Sequence, residues 1–207
     1  MDNLQRANNK KENLIMIKKE KITDKRSALL NATLILVHNN GFHAAPMAKI
    51  AKLAGVAPAT IYLYFENKQD LINKLYLEVK SSFSHCAFKG YDDKLPVKKG
   101  FEIIWHNIAE YKLNKIKEAT FLSQCDNTPI VDEEFRKEGL KHLQPLLNLW
   151  ERGKREDIIK PLSPYILYSL TIYPLSFLMA MQERKIYIVN KEMLNEVFKA
   201  AWDAIKI

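Results

Sequence analysis

The chain has 207 residues, 47% of them hydrophobic and 27% charged, with a formal net charge of +8. That balance excludes a disordered or collagen-like chain and leaves a globular protein able to bury a core, either as one good-sized domain or as a small domain joined to a larger one. The charge is unevenly placed. Residues 1–90 carry 14 Lys/Arg against 7 Asp/Glu, while residues 91–207 carry 18 against 17, so one end suits a polyanion, nucleic acid first and an anionic membrane surface second. Cys86 and Cys125 form no CxxC pair, and His38 and His43 lie off a common helical face, so no disulfide framework, metal site or cofactor is indicated. Residues 1–25 lack the apolar run of a signal peptide, and a cytoplasmic location is expected.

Residues 1–21 read as a flexible, Lys-rich arm, either a solvated tail or a basic tether. From Asp24 the pattern becomes helical, with Leu29, Ala32, Thr33, Leu36 and Val37 on one stripe and Asn39-Asn40-Gly41 as a stop. Pro46 starts a short helix through Ala54 that Gly55 ends. Pro58 starts a second short helix through Phe65, and Asn67 with Asp70 caps the next, whose apolar side carries Leu71, Leu75 and Val79. Residues 89–96 hold a glycine, two aspartates and a proline, which places the boundary between a domain over 22–88 and a domain over 89–207.

Beyond the boundary only helices are expected. Phe101, Ile104, Trp105 and Ile108 mark one, Ile116, Ala119 and Phe121 another, and Phe135 through Trp150 a third. Pro161 to Gln182 carries no charge and has the length of a membrane span. Three prolines, three serines, a threonine and three tyrosines interrupt it, so a buried helix kinked near Pro174 is preferred and no membrane partner is expected. Asn190 caps a last helix bearing Leu194, Val197, Phe198, Ala201, Trp202 and Ile205. The fold class is all-α.

Two short helices joined by a tight glycine turn, with a supporting helix on each side, are the plan of a helix-turn-helix DNA reader. Its second helix enters the major groove, so small residues such as Ala57, Pro58 and Ala59 let the backbone approach, while Thr60, Tyr62, Tyr64 and Lys68 offer donors for phosphate oxygens. Tyr62 and Tyr64, two apart, cannot both face the core. Lys49, on the helix before, can also reach the DNA backbone.

Leu29-Leu30-Asn31-Ala32 through Gly41-Phe42, then Ile50-Ala51-Lys52-Leu53-Ala54-Gly55-Val56, then Thr60-Ile61-Tyr62-Leu63-Tyr64-Phe65-Glu66-Asn67-Lys68-Gln69-Asp70-Leu71 resemble the TetR family in order and spacing over residues 26–80. The resemblance implies phosphate contacts from Thr60, Tyr62, Tyr64 and Lys68, with Pro58, Ala59 and Leu63 nearest the bases. Ala45, Pro46 and Ala57 stand where the family commonly has hydroxyl-bearing caps, which puts phosphate contacts at those positions in doubt. The resemblance further implies a homodimer on a palindromic double-stranded operator, released by a small apolar or amphipathic effector. Repression is the family's usual mode, with activation open.

No motif names the effector. Trp105, Phe121 and Tyr173 are the candidate pocket walls, with His106 and Gln124 as polar partners, because such sites are mostly apolar with a few polar groups. Leu170, Phe177, Leu194, Val197, Phe198, Ala201, Trp202 and Ile205 are the candidate dimer interface. Two rivals stand beside this reading. No nucleophile elbow, phosphate loop or paired carboxylates support an enzyme, and Tyr62, Tyr64 and Lys68 argue against a helical adaptor that has lost DNA binding.

Overall fold

The structure, a computed structural model, describes residues 24–207. The proposed arm at 1–21 lies outside them. Ten α-helices and one 3-10 segment are described: α1 (24–40), α2 (Met47–Leu53), the 3-10 segment Pro58–Leu63, α3 (Lys68–Ala87), α4 (Val97–Asn114), α5 (Ile116–Asn127), α6 (Glu133–Lys141), α7 (Gln144–Arg155), α8 (Pro164–Thr171), α9 (Pro174–Glu183) and α10 (Lys191–Ile205). Among the described residues no strand forms; a single isolated bridge pairs Ile159 with Lys206.

Among the described residues the chain divides into two compact units, the first ending at Ile72 and the second beginning at Asn73, so this division falls inside α3. The reason lies in what α3 touches past Ile72. Asn73 exchanges hydrogen bonds with Asp132, donating to its carboxylate at 2.7 Å and accepting from its amide at 3.1 Å. Tyr76 packs on Gly139, and Lys80 faces Asp126.

In the first unit Leu29, Ala32, Thr33, Leu36 and Val37 are buried, as the stripe on α1 requires. The α2 turn closes as a Schellman motif: the Val56 amide donates to Ala51 at 3.0 Å and the Gly55 amide to Lys52 at 3.2 Å. That motif needs a left-handed residue after the cap, and Gly55, at φ +68°, supplies it.

In the second unit α4 is the central helix and packs on α5, α7, α9 and α10. Its rings build the core: Phe101 lies 6.4 Å from Trp150 and 6.0 Å from both Phe198 and Trp202, and Trp105 lies 5.6 Å from Phe198. By length and composition the run Pro164–Glu183 suffices to cross a membrane. Its helical order is broken at Ile172 and Tyr173, just before Pro174, and Leu167, Thr171, Ile172, Leu175 and Met179 are buried in the core. The cap read at Asn190 forms, accepting from the Met193 amide, and Ser163 caps α8 by accepting from the Ile166 amide.

Candidate nucleic-acid interface and effector region

The second element of the helix-turn-helix is a 3-10 turn, shorter than the helix expected through Phe65. The Thr60 amide donates to Ala57 at 2.8 Å and the Tyr64 amide to Ile61 at 3.1 Å. A three-residue repeat stacks positions i and i+3 in columns. Ile61 is fully buried and anchors the turn, while Ala59 and Tyr62 form an outward column, and Leu63 points out beside half-buried Thr60. Tyr62 is 57% exposed and Leu63 82% exposed. Tyr64 is half-buried, its ring 6.5 Å from Phe65, which resolves the two tyrosines: Tyr62 faces outward and Tyr64 partly packs.

Pro58 and Ala59 are exposed, and Lys49 lies exposed on α2. Neither Pro46 nor Ala57 caps its helix with a side chain. Lys68 has a partner inside the unit: its ammonium donates to the Phe42 carbonyl in the turn after α1. Asn67 accepts from the Asp70 amide at 2.9 Å, and Asp70 returns a bond from the Glu66 amide at 3.0 Å. Arg26, absent from the candidate set, sits over the Phe65 ring at 5.7 Å.

The effector candidates fare differently from one another. Trp105 and Phe121 are fully buried, and the Trp105 indole donates to the Thr171 carbonyl at 2.9 Å, so Trp105 is locked into the core. His106 is half-buried, edge-on to Trp105 at 5.2 Å, and burial lowers its pKa. Gln124 is half-buried, its carbonyl accepting from the Thr128 hydroxyl at 2.7 Å, and Tyr173 is exposed. A half-open apolar groove of about 380 Å³ lies elsewhere, lined by Phe177, Met181, Tyr187, Met193 and Val197 among others.

Of the interface candidates, Leu170 and Phe177 are exposed and Leu194 and Val197 half-buried. Phe198, Ala201, Trp202 and Ile205 are buried within the chain's own core, where the stripe on α10 meets α4 and α8. Exposed apolar residues gather on α8, α9 and the segment after α9: Tyr165, Ile166, Leu170, Tyr173, Phe177, Ile186, Tyr187 and Ile188.

Two buried lysines escaped the sequence reading. Lys80 on α3 and Lys112 on α4 are 5% and 6% exposed. Each sits on its helix's apolar stripe, with Tyr76 and Phe83 around Lys80 and with Trp105 and Ile108 before Lys112. A lysine where the period demands an apolar residue was the signal available. Among the described residues no group of His, Cys, Asp and Glu is placed to hold a metal ion.

Residues 29–75 match the model of the bacterial regulatory proteins of the tetR family, and residues 96–206 match the tetracyclin repressor-like C-terminal domain. An uncharacterized HTH-type transcriptional regulator from Haemophilus influenzae is 26% identical over 188 residues, covering 89% of this chain and 97% of that one. A TetR family transcription regulator from Marinobacter aquaeolei superposes with a TM-score of 0.85 at 26% identity, over 91% of this chain and 98% of that one. FadR from Bacillus subtilis, solved in complex with stearoyl-CoA, shares the fold at a TM-score of 0.67 and 20% identity, over 86% and 98% of the two chains. The helix-turn-helix of the first unit and the all-α second unit thus belong to one design, and the chain is a member of the TetR family of helix-turn-helix transcriptional regulators.

Proposed function

We propose that this regulator binds a palindromic operator as a homodimer in the cytoplasm and leaves it when a small amphipathic effector occupies the second unit. The observation that carries the DNA reading is the outward face of the 3-10 segment. Tyr62 and Leu63 expose large side chains to solvent while Ile61 between Thr60 and Tyr62 is fully buried. Exposed apolar surface of that kind marks an interaction site. Proline and alanine on the same face leave room for base edges, and Lys49 and Lys52, both exposed on α2, supply positive charge nearby. Pro58, Ala59 and Leu63 are assigned to the bases, and Thr60, Tyr62, Tyr64, Lys49 and Lys68 to the phosphates.

The dimer reading rests on the exposed apolar residues of α8 and α9. A C2 pair would cover them with the same surface of a second copy, and the partner would set the spacing of the two recognition segments on successive major grooves. An effector needs only to favour the state in which that spacing is wrong. The structure of Bacillus subtilis FadR with stearoyl-CoA makes a long-chain acyl amphiphile one compound to test.

Selection of bound fragments from total genomic DNA, followed by a salt titration on the recovered site, tests the reading. A palindromic site bound by two copies, with affinity falling steeply as salt rises, is expected. Equal binding to all fragments, or none, would overturn it.

A further inference from the structure

The interior of the second unit holds more positive charge than its fold uses. Lys112 donates to the Ser176 hydroxyl of α9 at 2.8 Å, and Lys80 lies 3.7 Å from the Asp126 carboxylate of α5 and 5.4 Å over the Tyr76 ring. An ammonium carries three donors, so six N–H groups face one hydroxyl, one carboxylate at ion-pair distance and one ring face. The Asp126 side chain is itself 39% exposed. Two buried cations against one partly solvated anion leave a net charge of +1 in a region where an uncompensated charge is expensive. The lysines also feel each other: burial is the main force holding Lys112 down to a pKa of about 8, Asp126 opposes it, and Lys80 adds to it.

The surroundings suit an amphipathic guest. The helices that carry Lys112, Asp126 and Ser176 pack on one another pairwise, α4 on α5, α4 on α9 and α5 on α9. Tyr168 on α8 belongs to the same neighbourhood: burial is the first cause of its raised pKa, followed by the charges of Asp126, Tyr76 and Tyr173. Tyr168 nevertheless keeps accessible surface, being half-buried. A phenol, a serine hydroxyl and two ammoniums on four helices are a polar end set among apolar walls, the make-up of a small-molecule site.

We propose that Lys112, with Ser176 beside it, and Lys80 seat the oxyanion of the effector, a carboxylate or phosphate borne on an apolar body. This rests on the reading of the second unit as an effector-sensing domain. One negative charge brings the cluster to neutrality, and charge-assisted hydrogen bonds to both ammoniums fill the donors that Ser176 and Asp126 leave over. A neutral or cationic analogue of the same shape leaves the +1 charge in place or raises it. Charge is therefore the property the site selects.

The test is calorimetric titration of the full-length chain with dodecanoate, dodecyl phosphate, dodecanol and dodecylamine. Either oxyanion is expected to bind at least about tenfold more tightly than dodecanol, the scale of a charged hydrogen bond, and dodecylamine more weakly than both. Preference between dodecanoate and dodecyl phosphate identifies which oxyanion the site takes. Lys112→Met should abolish the advantage of the oxyanion over dodecanol. Asp126→Asn should tighten oxyanion binding, a gain that loss of packing cannot mimic. Equal affinities for dodecanol and both oxyanions, no binding of either oxyanion, or an oxyanion advantage that survives Lys112→Met would overturn the proposal. Operator binding by the unliganded chain is scored separately: its presence with a failed titration removes only the anion site, whereas its absence removes the regulatory reading beneath it.

Discussion

The Lys68 ammonium donates to the Phe42 carbonyl, tying the first turn of α3 to the turn that follows α1. A side chain assigned to phosphate therefore also holds the helix-turn-helix together. Substitution at Lys68 should register both duties, and substitution at Tyr62 only the contact with DNA. Lys68→Ala should lower stability by about 0.5–1.5 kcal/mol through the lost hydrogen bond and weaken DNA binding evenly across sequences. Tyr62→Phe, at an exposed position, should leave the melting curve in place and weaken binding alone. A Lys68→Ala protein that melts like the wild type and binds DNA with an unchanged salt slope would remove Lys68 from both roles.

Gly139 tests the packing that draws α3 into the second unit. A Cβ placed there would stand 2.4 Å from Tyr76 Cε1 and 2.7 Å from its Oη, and Tyr76 is buried and cannot swing clear. Gly139→Ala is expected to cost about 1–3 kcal/mol, as overpacking usually does. In a Tyr76→Leu background the same change should cost much less, and a double-mutant cycle in urea measures the difference. Additive costs would show that the two residues do not compete for that space.

What the residues disclosed in advance follows the physics of each signal. The stripe on α1, the Gly55 turn and the caps at Asn67 and Asn190 are local, and local rules place them well. The 3-10 form of Pro58–Leu63 was not legible, because a six-residue element bears no period long enough to separate three residues per turn from 3.6. Phe198, Ala201, Trp202 and Ile205 illustrate a deeper limit. A stripe reports that one face of α10 is apolar, and only tertiary packing decides whether the chain's own rings or a second copy cover it; here Phe101 lies 6.0 Å from both Phe198 and Trp202. Lys80 and Lys112 were passed over because periodicity scores lysine as solvent-facing.

Lys112 makes stability depend on pH in a direction opposite to that of a salt-bridged lysine. Burial holds its pKa in the folded chain at about 8, against about 10.4 for an unfolded lysine. Between those values the unfolded chain binds a proton that the folded chain gives up, so this group's contribution rises with pH across the window, and the full penalty is present below about pH 8. The shift corresponds to at most about 3 kcal/mol. Lys112→Met should therefore be more stable than the wild type at pH 7, with the gap narrowing toward pH 10. Urea midpoints at the two pH values check it; a gap that stays constant or widens with pH would contradict the buried-charge account.

The interface prediction sets aside the buried residues of α10 and keeps Leu170 and Phe177 on the outward faces of α8 and α9. Phe177 is 64% exposed and Tyr165 84% exposed, whereas Phe198 is buried beside Trp105 in the same chain. Phe198→Asp would thus break the core of a single copy and say nothing about assembly. Phe177→Asp removes a side chain that is mostly exposed on the surface a second copy would cover, and in a C2 pair it acts on both copies at once and sets two like charges on one interface. The variant should keep the wild-type far-ultraviolet circular dichroism, sediment as a monomer at micromolar concentration where the wild type sediments as a dimer, and lose operator affinity because one copy reaches only one half-site. A Phe177→Asp protein that remains dimeric, or a wild type that sediments as a monomer under the same conditions, would take α8 and α9 out of the interface.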